Sequence, residues 1–197
     1  LGPAPTITPD EITEEMLSKY QCIYIEGYLL VNEPLVRSTM EKAKKLGLKV
    51  ALDLSNFNIV NAFKGMLEDI IPKYVDILFS NESEAEAFTG QKAAEAVHTL
   101  SELVEVSLVT LGKEGALIGS HGQFYSVPAE GGKPVDTTGA GDNFAAGFLY
   151  GQSIGASLVQ SARIGSMLAG YVIDVVGPEI PYDKWEQIKL KVKGILA

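Results

Sequence analysis

The residues best suited to chemistry lie in one run, Val135-Asp136-Thr137-Thr138-Gly139-Ala140-Gly141-Asp142-Asn143-Phe144-Ala145-Ala146-Gly147. Polar residues and glycines reach Gly141, after which Phe144, Phe148 and Leu149 recur at helical spacing. Gly139 to Gly141 is therefore expected to turn into a helix whose first N–H groups lack intrahelical partners. Free amides and the positive dipole end make such a terminus an anion site, and glycine lets a phosphate approach the main chain. Asp142 falls in the first helical turn. A carboxylate there is a poor phosphate ligand but a well-placed base for a hydroxyl attacking phosphorus. The pattern fits phosphoryl transfer. A glycine turn followed by an acid also simply starts a helix, so spacing alone leaves both readings open.

The elements that must position this run alternate. Helical signals begin at Thr8-Pro9-Asp10-Glu11, leading through Met16 and Leu17, and cover Glu33 to Leu46, closed by Gly47. Further helices are expected at Asn61 to Ile71, stopped by Pro72, from Asn81 through Phe88, and from Ala93 to Leu103. Strands are expected at Cys22 to Ile25, Leu48 to Leu52, Val75 to Phe79, Val106 to Thr110, Ala116 to Ile118 and Gln123 to Val127. Gly112-Lys113-Glu114-Gly115 reads as a hairpin turn. The segments Ala145 to Tyr150 and Ala156 to Asp174 are apolar and small enough to pack on a sheet, and a last helix runs from Pro181 toward Lys193. This alternation predicts an α/β fold: a Rossmann-like, mostly parallel sheet with helices on both faces. Ligands on such a sheet sit beyond the carboxyl ends of its strands, where Asp53, Asn81, Thr110 and the Gly139 loop fall.

Composition narrows the function. The chain has 197 residues, 46% hydrophobic and 21% charged, enough for a single domain over 1–197. A net charge of −9 argues against a nucleic-acid surface, so any nucleotide must be held by local amides and a cation. The lone Cys22 excludes an internal disulfide and fits a reducing cytoplasm. No apolar run approaches membrane-spanning length, and Leu1-Gly2-Pro3 does not resemble a secretion leader.

The run from Asp136 to Leu149 resembles the C-terminal signature of the ribokinase-like (PfkB) carbohydrate and nucleoside kinases. The stretches Tyr24-Ile25-Glu26-Gly27-Tyr28 and Asp76-Ile77-Leu78-Phe79-Ser80-Asn81-Glu82 are similar to the adenosine kinase branch. The resemblance implies that Asp142 is the catalytic base and that the amides of Gly139, Ala140 and Gly141 form an anion hole. It implies ATP and Mg²⁺ as cofactors, with Asn81 and Glu84 placing hydrated magnesium. Magnesium keeps most of its waters, so one carboxylate suffices. Asn81 with Glu84 three residues on is also close to a capping box that needs no ligand, and both readings can hold together. Thr110, Gly112 and Gly115 would border the nucleotide, although an ordinary hairpin also uses such glycines. Lys113 could reach phosphate or be solvated. Asp53 would lie near phosphates and metal, or would simply form a turn. Ser166 matches a position set against the purine, a role that nothing in its local chemistry demands. Asp136 and Thr138 match positions that bind a monovalent cation, K⁺ in this expectation.

His98 and His121 build no catalytic or metal cluster, and Trp185 with Tyr182 is expected to pack the last helix. The resemblance further implies that the family's N-terminal strands, Gly-Gly motif, lid and most sugar contacts have no counterpart in these residues. The 197 residues alone are then expected to be inactive, with an exposed sheet edge open to another chain, as in a homodimer. The reading that results is ATP-dependent phosphorylation of a hydroxymethyl group on a nucleoside, adenosine kinase-like. The alternatives are a ribokinase- or fructokinase-type sugar kinase, a non-catalytic nucleotide-binding module, and a purely structural domain.

Overall fold

The computed structural model describes residues 6–131 and 134–197. Leu1-Gly2-Pro3 lies outside them. Strands β1 (Cys22–Glu26), β2 (Lys49–Asp53), β3 (Ile77–Asn81), β4 (Val106–Thr110), β5 (Ala116–Ser120) and β6 (Gln123–Val127) form one sheet in that order. β1–β2 and β2–β3 run parallel, with Glu26 opposite Asp53 and Asp53 opposite Phe79. The helices between them are α1 (Glu14–Leu17), α2 (Glu33–Lys45), α3 (Phe57–Ala62), α4 (Lys64–Tyr74), α5 (Glu82–Thr89) and α6 (Ala93–Ser101). After the sheet come α7 (Ala140–Ser153), α8 (Leu158–Val172) and α9 (Trp185–Leu196). The mostly parallel α/β architecture is the expected one. No helix among the described residues is long and apolar enough to cross a membrane.

The chain divides into two compact units, Leu1–Val109 with Gly119–Phe124, and Thr110–Ile118 with Tyr125–Ala197. In the first, α2 packs on β1 and β2, and α5 packs on β3. Leu52, Leu78 and Leu108 are fully buried, each contributing about 1.5–3 kcal/mol by leaving water. α2 starts at Asn32, whose side chain accepts the Leu35 N–H, and ends before Gly47 in the left-handed region at φ 76°.

Two helices depart from expectation. Thr8 to Leu17 is not one helix: a 3₁₀ turn at Pro9–Glu11 precedes the short α1, which Thr13 caps afresh. The Lys42 ammonium donates to the carbonyls of Pro9 and Ile12 at 2.6 and 2.8 Å, fixing the break. The helix expected over Asn61 to Ile71 is instead the pair α3 and α4, separated at Phe63. Pro72 sits inside α4 rather than stopping it. An interior proline forfeits one helical N–H and crowds the carbonyl four residues back, costing about 3 kcal/mol; the helix runs only two residues further, with Ile70, Ile71 and Tyr74 buried.

In the second unit, the small faces of α7 and α8 meet each other. A Cβ on Gly147 would lie 2.7 Å from the Gly165 Cα, and one on Gly165 would lie 2.5 Å from the Phe144 carbonyl oxygen. Only glycine permits that approach. On its other side α8 builds a core with α9 from Ile164, Met167, Leu168, Val172, Ile180, Ile188 and Ile195. Those residues seat the last helix. Tyr182 is 92% exposed and Trp185 36% exposed, contrary to the packing role expected of them.

Candidate functional site

The glycine turn forms where the sequence places it. Gly139 is the N-cap of α7 at φ 77°, a left-handed conformation that L side chains rarely adopt. A Cβ there would also lie 2.7 Å from the Pro178 Cβ. Gly141 faces open space. The N–H groups of Gly141 and Asp142 donate to no acceptor among the described residues, while the Asn143 N–H closes the first helical bond to the Gly139 carbonyl at 2.9 Å. Of the three amides expected to form an anion hole, that of Ala140 already donates to the Thr137 carbonyl at 3.2 Å. The Asp142 side chain is exposed and has no ion pair or hydrogen bond among the described residues.

The turn is braced from behind. Asp136 Oδ1 accepts the Thr138 N–H at 2.9 Å and the Thr138 hydroxyl at 2.7 Å. Its Oδ2 accepts the Gly177 N–H at 2.9 Å. These bonds, the Gly177 amide foremost and then Thr138, hold the Asp136 carboxyl below its ordinary range. Val135 N–H donates to the Ile173 carbonyl at 2.7 Å, and the Asn143 side-chain amide donates to the Pro178 carbonyl at 3.3 Å. Asp136 and Thr138 thus tie the loop to the segment after α8, and two acceptor positions on Oδ1 are already filled.

Beside the turn lies a cavity of about 440 Å³ within the second unit. Thr110, Gly112, Gly115, Ala140, Gly141 and Ser166 line it together; Gly139, Asp53, Asn81 and Glu84 are not among its lining residues. Gly112–Glu114 form a 3₁₀ turn rather than a simple hairpin, closed by Gly115 at φ 103°. Lys113 reaches the cavity wall with no ion pair among the described residues. Sequence reasoning missed Phe144, Ala169 and Ile173, which supply apolar wall, and the segment Ala129, Glu130 and Gly131. Phe144 and Ile173 follow from helical spacing once the turn is placed. The 129–131 segment carries no local signal.

The remaining expected residues belong to the first unit. Glu84 is 3% exposed. Its Oε2 accepts the Asn81 N–H at 2.8 Å and its Oε1 accepts the Asn81 side-chain amide at 2.6 Å, while the Glu84 N–H donates to Asn81 Oδ1 at 3.0 Å. The capping box is real. Burial pushes the Glu84 carboxyl up to about 7, the Asn81 bonds oppose the rise, and the Asp53 charge adds to it. Asp53 accepts the Ser55 N–H at 2.6 Å and the Tyr24 hydroxyl at 3.2 Å. Ser55 stands at φ 62°, so Asp53 does form the tight turn, at the carboxyl end of β2. No group of three or more His, Cys, Asp or Glu among the described residues is placed to hold a metal ion by itself.

Known proteins resemble this chain in sequence and fold. A family model described as "pfkB family carbohydrate kinase" matches residues 3–185. The adenosine kinase of Saccharomyces cerevisiae is 32% identical over 201 residues, covering 93% of this chain and 59% of that protein. A crystal structure of a probable sugar kinase from Rhizobium etli superposes with a TM-score of 0.89 at 30% identity, covering 96% of this chain and 59% of the other. The adenosine kinase from Sinorhizobium meliloti gives 0.88 at 29% identity, with coverages of 94% and 58%. The chain therefore spans about three-fifths of the length of these relatives. The shared fold is ribokinase-like.

Proposed function

Because this chain belongs to the pfkB family of carbohydrate kinases, we propose that the protein transfers the γ-phosphoryl group of ATP to a hydroxymethyl group of a nucleoside or sugar. The observation that carries this reading is the N-terminus of α7. Among the described residues it combines unpaired Gly141 and Asp142 amides, an exposed and unpartnered Asp142 carboxylate, and an adjoining cavity of nucleotide size. Asp142 takes the proton of the attacking hydroxyl, and the amides, Gly139 included, hold charge on the transferring phosphoryl. Thr110, Gly112, Gly115 and Ser166 border the nucleotide, and Lys113 offers a cation to its phosphates.

Magnesium, when bound with ATP, neutralises phosphate charge. Each Glu84 oxygen accepts one hydrogen bond and keeps a lone pair for a metal-bound water, so the pair Asn81 and Glu84 fits a hydrated ion, with Asp53 adding charge nearby. A K⁺ ion, in the same proposal, is held through Asp136 Oδ2, since Oδ1 is filled by Thr138. Adenosine is the first acceptor to test, on the likeness to two adenosine kinases, with ribose and fructose as comparators. In the whole protein, Asp142→Asn is expected to lower kcat by about 10²–10⁴-fold while calorimetry finds ATP affinity unchanged. Retained turnover in Asp142→Asn refutes the base; wild type that fails to bind ATP refutes the site.

A further inference from the structure

The backbone from Ala129 to Gly131 walls the cavity yet belongs to no helix or strand. It is held by contacts from both flanks. A Cβ on Gly115 would lie 1.9 Å from the Val127 carbonyl oxygen, and one on Gly170 would lie 1.7 Å from that of Glu130. Between these points sits the Ser166 hydroxyl, on a residue 6% exposed. It donates to the Pro128 carbonyl at 2.8 Å and accepts the Glu130 N–H at 3.0 Å. A serine hydroxyl has one proton, so with that proton engaged Ser166 cannot donate to a base edge and has one lone pair to spare.

We propose that Ser166 is a positioning residue: its two hydrogen bonds fix the 128–130 backbone as the wall of the nucleotide cavity, and it sets nucleotide affinity without choosing the base. This rests on the reading of the cavity as the nucleotide site. Losing the hydroxyl leaves the Pro128 carbonyl and the Glu130 amide without their partner and frees the wall to move. Ser166→Ala is therefore expected to weaken binding of MgATP and MgGTP about tenfold, roughly 1.4 kcal/mol, by the same factor for both. In the whole protein the change falls on KM for the nucleotide, with kcat held. Hydrogen exchange at the Glu130 amide should quicken in the variant, whatever the ligand. Calorimetry with the two nucleotides and exchange measured on the ligand-free chain test this. A loss confined to one nucleotide shows that Ser166 reads the base, and unchanged affinity shows that the wall needs no tie; either overturns the proposal. Unchanged exchange at Glu130 overturns the tie by itself. If wild type binds neither nucleotide, the reading of the cavity fails instead.

Discussion

Replacing Glu84 with glutamine removes a buried carboxyl whose proton the folded chain holds more tightly than the unfolded one. Its ordinary value is 4.5, and burial raises it to about 7. Between these values the native state binds a proton that the unfolded state releases, so stability falls as pH rises. The difference is about two and a half pH units at about 1.4 kcal/mol each, on the order of 3 kcal/mol. That contribution is fully present below pH 4.5 and is lost as pH rises through 7. At low pH, where Glu84 carries its proton, the amide of Glu84→Gln matches the neutral acid in shape and charge, and only the acceptor lone pair of the acid's hydroxyl oxygen is lost to an Asn81 donor, costing about 1 kcal/mol. Urea unfolding from about pH 4.5 to 8 should show the wild-type midpoint falling with pH while that of the variant stays flatter, so that the variant becomes the more stable of the two above about pH 7. Parallel pH profiles would refute the claim that Glu84 is the titrating group.

Two further outcomes follow from the second unit. Gly165→Ala places a Cβ 2.5 Å from the Phe144 carbonyl oxygen, and overpacking of this kind costs about 1–3 kcal/mol, to be read as a lowered Tm. Asp136→Asn removes a carboxylate held below its ordinary range by the Gly177 and Thr138 donors. The wild-type advantage is expected at neutral pH and should shrink as pH falls below 3.8 through the lowered native value, which paired denaturation curves at about pH 7 and about pH 3 would reveal.

The turn at Gly139 was legible because its determinants are local: a glycine at positive φ, then amides with nothing four residues back to bond. The Asn81–Glu84 box was legible for the same reason, three residues being close to one helical turn. What stayed hidden depends on partners far along the chain. The break at Ile12 is made by Lys42, thirty residues on. Ser166 acquires its role from Pro128 and Glu130, 38 and 36 residues upstream. Asp136 is occupied by Gly177, 41 residues downstream, which no motif around Asp136 announces. The small residues of α7 and α8 are visible in the sequence and suit packing on a sheet; that they meet each other instead is decided by topology rather than by spacing.

The contact between Gly147 and Gly165 has a mechanical consequence. Where side chains separate two helices, a change of rotamer can absorb a shift; here main chain bears directly on main chain, and no such cushion exists. The fourteen-residue helix that begins at the glycine turn is therefore indexed against its neighbour like a key in a slot. Any adjustment of its tip toward a phosphate must carry both helices together or be confined to the loop ahead of Ala140.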